Sequence, residues 1–454
     1  MAQHYAPVSY THLDVYKRQT LASVYGGFAI ENAAFCETNT SCAGKNGGEG
    51  KEWICDTLLH SCLPPDTCLS SEHSCQSAEH PICADGLCIP CSSDASKGDA
   101  ECQTRAEQRR DSRRVCISGA CQECRTTSDC PSSRPVCAAQ SCRPCREHEE
   151  CGSGICRSEN ALREDPSAVV GTCVEESLIT YVDADHQMSG TGTRQNPMTS
   201  LLEAVQTGKP FLLVRPSRSS YSAFSIQNTN RIIVGQRIGP QMPILSSARV
   251  NGGSLILSQV ALVPSSGQDG ASCGNQAELF FRNVSVQGPS SGARGVVAEA
   301  TCLRLDVLAS QFTSIQGSAL TLLPGGVSYR IVNSSFRNCG STNPKFGSAA
   351  VFLGQGTRGV FTYNTLYQNL DAIECGSNQR IDNSVTVGGS LLGCVLDRPD
   401  QEADLNPEQL QLQDTPRNHA CCIDQAVPDT SVTTDYQGTP RAQGMGPDRG
   451  YWEG

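Results

Sequence analysis

No run of eighteen or more apolar residues occurs anywhere in the 454-residue chain, which excludes a membrane-crossing helix. Aromatic residues make up only 5%, so a compact core built around large rings is not the expectation. Positive charge is in deficit. The 35 Lys and Arg face 46 Asp and Glu, and the net charge of −11 opposes unspecific attraction to nucleic acid or to an anionic membrane. Histidine is sparse, with none between His186 and His419, so imidazole acid/base or triad chemistry over that stretch has no residue to carry it. Lysine occurs only twice after Cys173, at Lys209 and Lys345.

The amino terminus lacks a legible export signal: MAQHYAPVSYTHLDVYKRQ has neither an apolar stretch of signal-peptide length nor a small-residue cleavage site. Its segment VSYTHLDVYKRQ looks like translated adaptor sequence. Residues 1–35 are therefore expected to be a non-native or disordered leader, and they say nothing about compartment.

Cysteine is what the chain has in abundance. Twenty of 27 fall between Cys36 and Cys173, and the chain is expected to divide near residue 174. The spacing repeats. Cys68, Cys75, Cys83 and Cys88 form one unit, and Cys124, Cys130, Cys137 and Cys142 form another in nearly the same register. Between them, Cys91, Cys102, Cys116 and Cys121 make a unit with a longer third interval. Cys145, Cys151, Cys156 and Cys173 make one at the end, and Cys36, Cys42, Cys55 and Cys62 a degenerate one at the start. So short a module cannot bury enough apolar surface to hold itself together, and it needs disulfides or a metal. Two disulfides per unit leave three connectivities open. The alternative is zinc at the pairs Cys88/Cys91, Cys121/Cys124 and Cys142/Cys145, whose two-residue gap suits a thiolate site. Against it stand the complete use of twenty cysteines by the four-per-unit register and the presence of only His60, His73, His80 and His148 in this half. Disulfides imply an oxidising compartment, hence an extracellular, periplasmic or cell-surface protein. The basic insertion AEQRRDSRRV, with Arg109, Arg110, Arg113 and Arg114, reads as a solvated helical turn or as a small anion patch. Residues 36–173 resemble the cysteine-rich repeats of large surface and secreted proteins of myxobacteria-like Gram-negative bacteria.

From residue 178 to 454 the pattern changes to apolar runs of three to six residues separated by Gly, Ser and Asn. A polar-x-x-apolar core recurs from Gln259 to Leu262, Asn283 to Val286, Ala309 to Phe312, Asn333 to Phe336, Asn364 to Tyr367 and Asn383 to Thr386. A repeat of about 25 residues made of short strands predicts an all-β solenoid. Leu262, Val286, Phe312 and Phe336 would stack in one inward column, and Asn283, Asn333, Asn364 and Asn383 would form an amide ladder at a turn. Before these repeats, 200–206 (SLLEAVQ) predicts a short helix with Ser200 and Glu203 in a capping-box pattern. It would close the first end of the stack.

The stretch YVDADHQMSGTGTRQNPMTSLLEAV resembles the amino-terminal cap of bacterial right-handed parallel β-helix proteins of the pectate-lyase-like superfamily. The end, TDYQGTPRAQGMGPDRGYWEG, resembles the closing segment of surface-associated members through Asp435, Gly438, Arg441, Pro447, Asp448, Gly450 and Glu453. Arg449, Tyr451 and Trp452 depart from the small apolar residues usual there. The implied fold is a right-handed parallel β-helix with a short amino-terminal cap helix, preceded by a disulfide-rich, loop-rich region. That fold carries lyases, hydrolases and non-catalytic surface proteins alike, so function rests on the site.

The Asn-Thr-Asp, Asp-Asp, Gly-His-Gly and Arg-Ile-Lys motifs of polygalacturonases are absent. A calcium-dependent lyase would need clustered carboxylates and a basic residue; the candidate set is Asp371, Glu374 and Asp382 with Arg358 or Arg380. Asp183 and Asp185 are a candidate calcium pair at the cap, or simply turn-stabilising groups. Cys273 with Cys302, Cys339 with Cys375, and Cys394 with Cys421 or Cys422 are expected to pin neighbouring coils, and the seventh cysteine leaves one thiol over. The sequons at Asn39, Asn283 and Asn333 read as chance or ladder positions. The expectation is a monomeric surface protein without a cofactor, presenting a solenoid face to a glycan or protein partner and having no nucleic-acid partner.

Overall fold

The structure is a computed structural model. It describes residues 91–157, 171–288, 292–377, 379–382 and 384–396, and before residue 91 it describes 37, 42, 46–47, 51–56, 61–63, 75, 78–84 and 87–90. The leader, Cys36, Asn39, Cys68, Asn383, Cys421, Cys422 and the closing segment 434–454 lie outside the described residues. None of the described helices is long and apolar enough to cross a membrane.

The chain forms two compact units, Met1–Arg143 and Pro144–Gly454. In the first, each repeat is a small hairpin whose strands hold the unit's third and fourth cysteines directly opposite each other, as with Cys116 and Cys121 or Cys137 and Cys142. These neighbours do not bond to each other. The third reaches back to the first and the fourth to the second: Cys91–Cys116 and Cys102–Cys121, then Cys124–Cys137 and Cys130–Cys142. Cys42–Cys62 and Cys75–Cys88 follow the same rule, which selects one of the three connectivities. The Cys-x-x-Cys pairs are joints between consecutive units rather than pairs within a site. Helix α1, Ala95–Arg109, fills the longer interval and is capped by the Asp94 carboxylate, which accepts from the Ser96 and Lys97 amides. It carries the buried Arg105, whose guanidinium meets Asp111 at 2.7 Å; Asp111 also holds Arg113 at 3.2 Å. Part of the basic insertion is therefore internally paired.

The second unit is a parallel β-solenoid. Its coils stack into a 16-stranded sheet, whose two limbs are here called sheets I and II, and a 7-stranded sheet III. Sheet I continues through Ala271–Gly274, Val296–Ala298, Leu320–Leu322, Ala349–Leu353 and Asp371–Cys375. Sheet II continues through Glu278–Arg282, Arg304–Leu308, Ser328–Val332, Arg358–Thr362 and Arg380–Asp382. The 7-stranded sheet III runs from Ile244–Leu245 to Val385–Val387. The two long strands of the first coils, Phe224–Gly235 and Ala248–Ser258, bend through both sheets I and II. Side chains alternate inward and outward, so one coil buries nothing by itself and stacking supplies the core. The expected column forms: Leu262, Val286, Phe312 and Phe336 pair in register and are fully buried, with Phe312 and Phe336 ring centroids 4.9 Å apart. Each such side chain contributes on the order of 2 kcal/mol through burial.

The corner between sheets II and III is a left-handed residue, with φ between 49° and 55° at Gln259, Asn283, Ala309, Asn333 and Tyr363. The sixth coil therefore starts at Tyr363, one residue earlier than the sequence pattern suggests. The polar ladder sits at the next position. The Val284, Ser310 and Ser334 amides donate to Ser310 Oγ, Ser334 Oγ and Asn364 Oδ1 at 3.2, 3.2 and 2.9 Å, and the Asn364 amide donates to Ser384 Oγ at 3.2 Å. Of the ladder expected of Asn283, Asn333, Asn364 and Asn383, Asn364 takes part, with Ser310, Ser334 and Ser384 at the equivalent place in neighbouring coils, while Asn283 and Asn333 stand at the corner itself and Asn383 lies outside the described residues. A side chain just after the corner points into the stack, where a neighbouring amide needs a partner.

Cys273–Cys302 forms as expected, whereas Cys375 pairs with Cys394 and leaves Cys339 as a buried thiol. Cys339 lies at the corner leaving sheet III, not on sheet I, and this separates it from Cys375.

Composition changes near residue 174, but packing divides the chain at 143/144. The fifth repeat, closed by Cys145–Cys156 and Cys151–Cys173, packs with the solenoid. Its Ile155 and Val174 join a cluster with the outward residues of sheet II: Ile179, Tyr181, Phe211, Leu213, Ile232, Val234, Ile256 and Phe280. Strands Ile179–Val182 and Phe211–Val214 are consequently buried on both faces. At the same end, α2 (Leu201–Ala204), capped by Ser200, turns Leu201 and Ala204 into the solenoid core.

Candidate functional site

The outward face of sheet I carries a cleft of about 440 Å³ over coils two to five, with Ser272, Val297, Ala300, Thr301 and Leu323 in its lining. Strand register places Arg249, Ser272, Val297, Thr321, Phe352 and Glu374 in one outward column, one residue per coil. Successive coils are about 4.8 Å apart. Two ion pairs border the cleft. Arg294 Nε and Nη2 reach Asp269 Oδ1 and Oδ2, both at 2.9 Å, in a forked arrangement. Arg249 Nη2 reaches Glu299 Oε1 at 3.2 Å, across two coils. Gly274 leaves room for the Glu299 carboxylate in this position, which a β-carbon there would crowd. Donors and acceptors thus alternate around an apolar floor of Val297 and Leu323.

Of the candidate residues singled out in the sequence, Glu374 stands at the far end of this outward column, beyond the cleft, and the others are not in it. Asp371 and Glu374 are on sheet I, whereas Arg358, Arg380 and Asp382 are on sheet II. Asp382 is held by Arg380 at 2.7 Å, and Asp371 accepts from Ser390 Oγ. The phenol of Tyr329, on sheet II, donates to Gln379 at 2.9 Å. Burial, with Asp382 adding to it, pushes that phenol up to about 12, which removes it as a base near neutrality. Asp183 is engaged by Arg215 at 3.0 Å and by the Asp185 amide at 3.1 Å, and Asp185 accepts from the Arg218 amide at 3.2 Å.

Among the described residues, groups of three metal-ligating atoms within 4.8 Å of one another are all cysteine sulfurs, at Cys91/Cys102/Cys121, Cys124/Cys130/Cys142 and Cys145/Cys151/Cys156. All nine are bonded in disulfides, and a metal needs thiolates. The cleft residues Asp269, Arg294 and Glu299 escaped the sequence reading because they lie outside the repeated polar-x-x-apolar core. Only the coil register brings them to one face.

No protein-family model and no curated protein matches the chain. A solved structure titled "Crystal structure of pectate lyase Pel9A" aligns over 61% of this chain and 96% of its own, at 12% identity and a TM-score of 0.38.

Proposed function

We propose that this is an extracellular, cell-surface adhesion protein of the bacterial kind its repeats resemble, acting as a monomer without catalysis or cofactor. The disulfide-stapled repeats serve as a stalk and sheet I presents the binding face to a glycan. The observation that carries this reading is the pairing in the cleft: both arginines are tied to carboxylates, and the carboxylates flank an open, partly apolar floor. Such a site offers hydrogen bonds to a ligand but no unpaired base for abstracting a proton. The intra-repeat disulfides support an oxidising location.

A calcium-dependent lyase or hydrolase is the reading this displaces, and the placement of Asp371, Glu374 and Asp382 on two sheets speaks against it. Full-chain protein incubated with acidic and neutral polysaccharides, with and without calcium, is expected to yield neither unsaturated products nor new reducing ends. Product formation abolished by Asp371→Asn, Glu374→Gln or Asp382→Asn would overturn the proposal.

A further inference from the structure

Resting on the proposed glycan-binding role, we infer that the sheet I cleft takes a neutral oligosaccharide lying along the solenoid axis, from the Arg249–Glu299 pair towards Phe352. Charge comes first. Each of the two arginines bordering the cleft is matched by a carboxylate, at 3.2 Å for Arg249 with Glu299 and 2.9 Å for Arg294 with Asp269. A uronate or sulfated sugar brings a negative charge to guanidiniums whose own charge is already matched, and it would face Asp269 and Glu299 besides. A vicinal diol has the opposite character: each hydroxyl both donates and accepts, so it fits between a carboxylate and a guanidinium without adding charge.

Shape gives the direction. The outward column rises one residue per coil, and a pyranose ring spans about one such step, about 4.8 Å. Leu323, partly exposed beside the almost fully buried Val297, offers apolar surface to the C–H face of a sugar. Two coils beyond Val297 in the same column stands the half-buried Phe352, an aromatic ring suited to stacking. Thr321 lies between them in register. It is 7% exposed and its hydroxyl oxygen is closed off from solvent, so it belongs to the packed column and is not a contact for the sugar.

The test uses the full chain and calorimetric titration with cellohexaose, mannohexaose and xylohexaose against hexagalacturonate. At least one neutral probe is expected to bind, and hexagalacturonate to bind at least tenfold more weakly. Asp269→Asn and Glu299→Gln should each weaken the neutral probe about tenfold. Each should also strengthen hexagalacturonate, because the freed arginine gains an unpaired charge. Phe352→Ala should weaken the six-residue neutral probe more than its disaccharide. Unchanged thermal melts of Asp269→Asn and Glu299→Gln establish that folding is intact. Preferential binding of hexagalacturonate by the unaltered chain would overturn this inference and leave the glycan-binding role standing. So would neutral binding indifferent to both carboxylate variants. Failure of all four probes to bind would overturn both.

Discussion

His148 Nε2 lies 3.1 Å from Ser258 Oγ, and its other ring nitrogen accepts the Cys156 amide at 3.2 Å. The histidine of the fifth repeat is thereby fixed as the neutral tautomer that donates to the second coil of the solenoid. A proton on Nδ1 would break the bond from Cys156. Burial first, and Arg282 second, pulls the ring from 6.5 down to about 4. The unfolded chain therefore takes up a proton that the native chain refuses. Stability is full above pH 6.5 and falls as pH drops, until the native ring titrates near 4. The gap corresponds to roughly 3 kcal/mol at most, reduced by the ring's partial solvent contact. Urea unfolding of the full chain between pH 8 and 4 should show this decline, and His148→Gln should flatten it. Equal slopes in the two proteins would count against the assignment.

Gly154 brings the fifth repeat against the solenoid. Its φ is +81°, and a β-carbon there would sit 2.6 Å from Leu213 Cδ2. Gly154→Ala combines left-handed strain with a clash and should cost about 1–3 kcal/mol in denaturant unfolding. Leu213→Ala opens the space, so the double variant should lose less than the sum of the single ones. Strict additivity would mean that the contact is not made.

Asn364 is fully buried, accepts from Ser334 N at 2.9 Å and donates to Ile331 O at 2.9 Å. Asn364→Ala leaves both backbone groups unpaired, with an expected loss of about 2–4 kcal/mol. Asn364→Ser should lose less than half of that, since serine occupies the equivalent place in three neighbouring coils. Chemical denaturation of the two variants checks the ranking.

Cys339 is a thiol 2% exposed, and burial pushes it up to about 12. It should stay unlabelled by iodoacetamide in native protein at pH 8 and react fully once the protein is unfolded, as peptide mass spectrometry would read. Labelling in the native state would place Cys339 at the surface.

Much of this architecture was legible before any coordinates. Cysteine spacing carried the five-unit register, because each hairpin must return its third and fourth cysteines to the first two. Apolar recurrence carried the solenoid and its Leu262-to-Phe336 column. The slip at Tyr363 arose because a bulky aromatic in a left-handed corner violates the preference that makes Asn a marker of such positions. The docking of the fifth repeat did leave a trace. Phe211-Leu-Leu-Val214 is apolar at every position, and a strand without alternation is covered on both faces. The cleft left none, since its charged residues come from different coils and meet only through register.

The first-to-third, second-to-fourth disulfide rule has a mechanical meaning. Fully extended, the stretch from Cys124 to Cys142 would reach roughly 60 Å. With Cys124 bonded to Cys137 and Cys130 to Cys142, a pull on the two ends travels through a disulfide and one short segment, and the reach falls to roughly 23 Å. In the repeats whose four cysteines are all described, the slack is locked away covalently. Under tension such a repeat would lengthen little before a covalent bond had to break, whereas an unbridged segment of the same length would unravel freely.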